Sequence, residues 1–425
     1  MSQRLSALGV LESLKLGVVP DEAMGALSVG CEDLLAAVDD DLSAAGAEQP
    51  GGAFRIFFGD YGTGKSHLLE LAEERARSRG FLVARTAFGS REVSPDSPLA
   101  VYRALIAALR YPSGPQRGLD RLLSEAGESP EVFRRWTGRV SVGGPIVDEE
   151  FTNHLWLSPA ILGHRLLMKT GLDEGHERLR AWMGGQPSPP PALRRILGVA
   201  AARIGLPRGH GLTGPEQIRG IPRWRSVPQI PCYILGGIGS LARDLGYSGL
   251  ALLLDEGEYF QWMTSQRTEY AVNLAKGLQA TSLSGYPADT LPRGGRRNHR
   301  LVPYRFQQAQ HVACFVALAP QSESGEALAA LAAVEESRRS QIPALTSHQL
   351  IDLATRVLEL ATMADLDSLH LPAYRDLLFQ HIDHECRAGR PLPPRRVVKL
   401  AAFLPDTVRA AGEAPVDPQL FMSGG

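Results

Sequence analysis

The sequence predicts an α/β protein: a parallel sheet between two helical layers, with a helical insertion and a helical C-terminal segment. Three observations predict it. The octet Gly59-Asp60-Tyr61-Gly62-Thr63-Gly64-Lys65-Ser66 stands between a short apolar run and an amphipathic stretch. A second apolar run, Gly249 to Leu254, ends in Asp255-Glu256. From Thr346 onward the apolar residues recur at helical spacing only.

The elements follow in order. Residues 4–15 read as a short amphipathic helix, and Gly17-Val18-Val19-Pro20 as a turn. Cys31 to Ala45 reads as a second helix, with Leu34, Leu35, Val38 and Leu42 on one face, and Ala44 to Gly52 as a small, polar linker. Ala53 to Phe58 suits a buried parallel strand. The octet itself fits G-x-x-x-x-G-K-[ST], the phosphate-binding loop. Its glycines let the backbone turn its N–H groups toward a polyphosphate. Lys65 supplies a point charge for the β/γ-phosphates, and the Ser66 hydroxyl suits Mg²⁺. His67 to Arg79 then forms a helix whose N-terminus faces the phosphates. Gly59, Asp60, Tyr61, Gly62, Thr63, Gly64, Lys65, Ser66 and His67 are therefore the expected nucleotide-binding residues, and ATP with Mg²⁺ the expected ligand.

Phe81 to Phe88 reads as a second strand and Pro98 to Leu109 as a helix with proline in its first turn. Between residues 111 and 232 short helical stretches (Glu131–Thr137, Ser158–Thr170, Ala192–Ile204) alternate with Pro/Gly-rich breaks such as Gly184 to Pro191. This reads as an insertion with surface loops, since the minimal fold needs only a helix, a strand and a helix before the next motif. Ile238 to Leu245 returns the chain to the sheet as a helix. Gly249 to Leu254 is then a central strand that carries its terminal acids to the ligand-binding edge of an open α/β sheet. Asp255 is expected to order Mg²⁺, and Glu256 to orient and deprotonate the attacking water. Glu258 reads as solvent-facing or helix-capping.

Beyond this strand a helix is expected from Tyr259 to Leu278, then a loop carrying Arg293, Arg296, Arg297 and Arg300. That cluster reads as a solvated loop, as a grip on DNA phosphates, or as a reach toward a neighbouring subunit's nucleotide. His311 to Leu318 is a buried-type strand, and a short last strand lies near Gln341-Ile342. Thr346 or Ser347 caps the next helix, with further helices at Tyr374–Ala388 and Arg395–Phe403. The spacing of His370, His381, His384 and Cys386 fits no zinc site, so they read as polar helix positions. The whole is expected to be a three-layer αβα P-loop NTPase, similar to the AAA+/ASCE type, with residues 1–50 an N-terminal helical segment, 51–340 the core with its 111–232 insertion, and 341–425 a lid.

The chain further resembles AAA+ ATPases and, within them, the P-loop ATP-binding proteins of bacterial BREX phage-defence loci, closest in layout to the smaller BrxD type. The segments carrying this are Gly17 to Pro20 with Val29 to Glu32, Gly59 to Leu69, Ser94-Pro95 through Leu105, Leu241 to Tyr247, and Leu252 to Glu256. They span most of the chain outside the Pro/Gly-rich insertion. AAA+ proteins place a Gly-Arg-Glu box beside the base, where this chain has Gly30-Cys31-Glu32. They place a γ-phosphate sensor after the strand that ends at Leu318, which makes Gln321 the candidate, although Asn is commoner there. Their lids contribute a phosphate-contacting arginine, here Arg395 or Arg396; an arginine finger from Arg338 or Arg339 competes with a plain surface role. The resemblance implies an ATP-hydrolysing switch or motor acting with other defence proteins on DNA, as a homo- or hetero-oligomer. A nucleotide-gated binding module with negligible turnover is the alternative, and a phosphotransferase is disfavoured because the Asp255-Glu256 pair suits water as acceptor.

Composition narrows the partners. Lys and Arg number 45 against 46 Asp and Glu, so any nucleic-acid contact must come from a local patch. The four cysteines, Cys31, Cys232, Cys314 and Cys386, form no C-x-x-C pair and read as reduced thiols. Glu12 and Lys15 interrupt the first apolar residues, and no run is long enough to span a bilayer. The cytoplasm is the expected compartment, without membrane partners.

Overall fold

The structure, a computed structural model, describes residues 2–18, 20, 25, 27–89, 92–138, 153–186, 189–205, 218–260, 263–294, 302–319, 333–364, 366, 371–390 and 392–411. It is a mixed α/β arrangement with one five-strand parallel sheet and many helices. The strands are β1 (Ala53–Phe58), β2 (Phe81–Ala87), β3 (Gly249–Asp255), β4 (Val312–Leu318) and β5 (Arg339–Gln341), in the order β2-β3-β4-β1-β5. Phe81 pairs with Gly249 through to Ala87 with Asp255, and Leu250 pairs with Val312 through to Leu254 with Val316. Every residue of β3 and β4 is buried. That is why both strands read as unbroken apolar runs rather than as alternating ones.

The chain divides into two compact units. One comprises Met1–Ala37, Phe57–Ala72 and Ser340–Gly425. It holds helix α1 (Ser2–Lys15), the start of α2 (Glu32–Gly46) and the start of α3 (Lys65–Ser78). Three C-terminal helices, α12 (Ser347–Met363), α13 (Leu371–Arg387) and α14 (Pro394–Ala411), complete it. Leu11 and Leu14 of α1 pack with Leu350, Ala354 and Val357 of α12, with Leu378 of α13 and with Val397 of α14 in one core. Burying each of the leucine and valine side chains contributes about 1.5–3 kcal/mol. Lys15, almost covered, closes that core's edge with an ion pair to Asp406 at 2.5 Å. Thr346 starts α12 with a capping box: its hydroxyl accepts from Gln349 N while Gln349 Oε1 accepts from Thr346 N.

The other unit comprises Val38–Ile56 and Glu73–Arg339. It carries α4 (Pro98–Ala108), α5 (Asp120–Glu128), α6 (Pro130–Thr137), α7 (Leu157–Thr170), α8 (Asp173–Met183), α9 (Pro190–Arg203), α10 (Gln229–Asp244) and α11 (Ser265–Ser282). The insertion is thus more helical than its sequence announces, with α5 and α8 added to the three expected stretches. Helix α10 begins nine residues before Ile238, at Gln229, whose side chain donates to Val302 O and accepts from Gly294 N at the start of a fully buried segment. Trp136 is buried and donates its indole N–H to Asp244 at 2.7 Å, which fastens α6 to the end of α10. His154 lies between Tyr233 and Phe306, and its Nδ1 accepts from the N–H groups of Trp156 and Leu157 at the start of α7. Burial pushes its pKa down to about 3, so it stays the neutral acceptor this cap requires. No described helix is long and apolar enough to cross a membrane.

Candidate functional site

The glycine-rich loop joins β1 to α3, and its shape follows from its spelling. Gly62 and Gly64 have φ of +84° and +99°, a region that side-chain-bearing residues rarely adopt. Gly59 is required for a different reason, since a Cβ there would lie 2.4 Å from the Thr63 hydroxyl. The Thr63 hydroxyl and amide both donate to Asp60 O, at 2.8 and 3.3 Å. Lys65 is buried, and its amine donates to Gly59 O at 2.8 Å and Asp60 O at 2.9 Å, so the cation is held inside the curl of the loop. Leu68 N to Gly64 O, at 2.8 Å, begins the helical ladder immediately behind. Ser66 is exposed on the first turn of α3.

Beside the loop lies a small, mostly apolar pocket. Gly30, Cys31, Gly64, His67, Leu345 and Pro394 are among its walls, all within the same unit. Gly30 and Cys31 therefore stand at the phosphate loop, while Glu32 opens α2 instead. His67 is mostly buried, and a Ser28 Oγ–His67 Nε2 hydrogen bond of 3.0 Å ties it to the N-terminal segment. Its Nδ1 is buried without a partner, and burial pushes its pKa down to about 4. Arg356 secures the same segment by donating to Ser28 O at 3.1 Å. The contributions of Ser28, Leu345 and Pro394 had no motif to announce them, because they come together only through folding.

Of the two lid arginines, Arg395 is exposed and donates to the Tyr61 hydroxyl at 3.0 Å; Arg396 is half-buried on the next position of α14. Tyr61 is itself 76% exposed, so this hydrogen bond joins the loop's tip to the C-terminal helices at the surface.

Asp255 and Glu256 belong to the other unit and end β3. Asp255 is buried: its Oδ1 accepts from Glu256 N at 2.9 Å and its Oδ2 from Arg85 at 3.4 Å. Its carbonyl accepts from Phe88 N at 3.0 Å. Glu256 has φ of +57°, the left-handed region where a residue with a Cβ costs about 1–2 kcal/mol. Only glycine fits at the next position, Gly257, where a Cβ would meet Leu318 Cδ2 at 2.2 Å and Ala317 O at 2.6 Å. Strain of this kind clusters where a side chain must be aimed rather than merely packed.

Arg293 pairs with Asp289 at 2.6 Å, one turn away, at an exposed position. Gln321, Arg296, Arg297, Arg300 and His370 lie outside the described residues, as does the Glu258 side chain. Among the described residues no group of three or more His, Cys, Asp or Glu could hold a metal ion, so His381, His384 and Cys386 form no such site.

No curated protein and no solved structure matches the chain. Residues 3–125, which include the phosphate loop and the Ser28–Cys31 wall of its pocket, match the family model described as BREX system ATP-binding protein BrxC/D.

Proposed function

We propose that the chain is an ATP-binding and ATP-hydrolysing P-loop ATPase of the AAA+ type, a switch or motor subunit of a BREX-like phage-defence system. The observation that carries the reading is the loop itself. Two left-handed glycines curl it around a buried lysine, in the segment that matches an ATP-binding family, with an apolar pocket alongside. Loop N–H groups and Lys65 bind the β/γ-phosphates, with Lys65 giving up its two carbonyl acceptors. The base approaches Gly30, Cys31, His67, Leu345 and Pro394, whose pocket of about 60 Å³ must widen to admit it, and the buried Nδ1 of His67 is the polar atom there.

For Mg²⁺ the donors suit a hard cation: the Ser66 hydroxyl and the Asp255 carboxylate would hold it. The bound ion supplies charge neutralisation on the phosphates. Glu256 orients the attacking water and takes its proton, and Gln321 senses the γ-phosphate. Arg395, with Arg396 behind it, exchanges the Tyr61 hydroxyl for phosphate as residues 341–425 close as a lid over a 51–340 core. The working partners are other defence proteins or DNA in the cytoplasm, and Arg293, Arg296, Arg297 and Arg300 are the DNA contact to test first. The gated binding module is kept as a second reading because Arg85 already occupies an oxygen of Asp255.

The test is ATP turnover by the wild type and Glu256→Gln, with and without duplex DNA. Turnover in the wild type, lost in a variant that still binds ATP, is the expected result. A wild type that binds ATP and releases no phosphate in any condition would leave only the gated module.

A further inference from the structure

Helices α4, α5 and α8 enclose a cavity of about 510 Å³ within a single unit. That volume suits a small molecule. Its floor is apolar and buried: Ile106, Leu119, Leu123 and Met183. Its rim is cationic, with Arg103, Arg117 and Arg180 facing Asp120 and Glu177. The charges do not cancel. Arg180 is committed to Asp120 at 2.5 Å, which leaves Arg103 and Arg117 against Glu177.

Arg103 is half-buried, and its Nε donates to Gly185 O at 2.6 Å. Its two terminal nitrogens have no hydrogen-bond partner among the described residues, and neither has the exposed guanidinium of Arg117. Burial, then the charge of nearby Arg223, lowers the pKa of Arg103, as expected of a cation short of a counter-charge. The walls are fixed before any ligand arrives. Tyr102 donates to Met183 O at 2.6 Å, Arg103 to Gly185 O, and Arg180 to Asp120, so α4 and α5 are each tied to α8 or the turn after it.

We propose that this cavity binds a small organic anion: one phosphate, sulfonate or carboxylate group on a flat apolar body. The planar guanidinium groups would take the oxyanion and the aliphatic floor would take the body. A preformed cavity with a net positive rim and an apolar base selects for that combination. A bare inorganic ion would leave the floor unfilled, and a neutral hydrocarbon would make no use of the cationic rim.

The probe is 8-anilinonaphthalene-1-sulfonate, whose fluorescence rises in apolar surroundings, titrated into the full-length chain. Saturable binding is expected in the wild type. Affinity should fall by about tenfold or more in Arg117→Gln, which removes one charge-assisted hydrogen bond from an exposed position. It should also fall in Ala107→Trp, which fills the cavity from its exposed edge, and hold in the control Arg178→Gln on the outer face of α8. Benzoate and phenyl phosphate then compete: displacement by either supports the site and tells which head group it prefers. Unchanged affinity in both Arg117→Gln and Ala107→Trp, or no displacement by either anion at about a hundredfold excess, would overturn the proposal.

Discussion

In the phosphate loop, three glycines and the lysine lie within eight consecutive residues, and their geometry is a property of the local backbone. The arginine-lined cavity draws its rim from Arg103 and Arg117, on neighbouring segments, and from Arg180, on a helix about sixty positions further on that folding brings beside them. The first holds its lysine by main-chain carbonyls; the second leaves two guanidinium groups on an apolar floor. A site made of backbone conformation tolerates almost no substitution at its glycines. A site made of side chains on rigid helices should yield charge by charge.

The largest expected effect tests that contrast directly. At φ of +99°, Gly64→Val places a β-branched residue where about 1–3 kcal/mol of strain accompanies it, and the loop should relax into another shape. Affinity for a fluorescent ATP analogue should drop about a hundredfold, while the dye titration of the cavity stays within about twofold. Lys65→Ala should show a similar loss by removing the charge-assisted bonds while leaving the backbone unstrained. Conversely, Ala107→Trp should abolish dye binding and spare the nucleotide. If either substitution damages both sites equally, the two are not built independently and the comparison fails.

The contrast also explains what could be read before the fold was known. The octet, the apolar run into Asp255-Glu256 and the Thr346-to-Gln349 cap are short-range patterns. Each dictates its own geometry, and β1, β3 and α12 stand where those patterns put them, within a residue or two at their ends. Helices α5 and α8 were not legible, and the reason is physical. They are short, Leu119 and Leu172 at their N-caps make no side-chain cap, and they are held by tertiary packing. The wall that Leu345 and Pro394 give to the loop's pocket was equally hidden, because these residues lie about 280 and 330 positions beyond the motif. The helix expected from Tyr259 instead starts at Ser265 after a 3-10 turn at Gly257–Phe260. That turn passes so close to Leu318 that only glycine fits at 257, a long-range constraint that no local pattern encodes.

A middle-sized effect tests the first region by pH. His67 has its folded-state pKa pushed down to about 4 by burial, below the ordinary 6.5. Between these values the unfolded chain binds more protons, so the stabilisation is complete above pH 6.5 and is lost as pH falls through 4. At about 1.4 kcal/mol per unit the loss reaches about 3 kcal/mol. His67→Gln keeps a hydrogen-bond partner for Ser28 but cannot titrate. Urea midpoints of wild type and variant should therefore converge as pH drops from 6.5 to 4. Parallel curves across that window would mean that His67 is not buried as a neutral ring.

The smallest effect concerns how the walls of the loop's pocket are anchored. Leu345 immediately precedes the capping box of α12, in which Gln349 N donates to the Thr346 hydroxyl at 3.3 Å and Thr346 N donates to Gln349 Oε1 at 2.9 Å. Thr346→Ala removes the hydroxyl and leaves the Gln349 amide to water, a change worth about 1 kcal/mol. The first turn should fray, so hydrogen exchange at Gln349 and Leu350 should quicken about fivefold, with the exchange of Val357 deeper in the helix unchanged. Thr346→Ser, which keeps the acceptor, should restore the slow exchange. Because Leu345 is carried by that turn, nucleotide affinity should weaken slightly in the alanine variant and recover in the serine one. If exchange at Gln349 does not change, the box is held by its surroundings rather than by its own hydrogen bonds, and the pocket wall is anchored from the helical core around Leu350 instead.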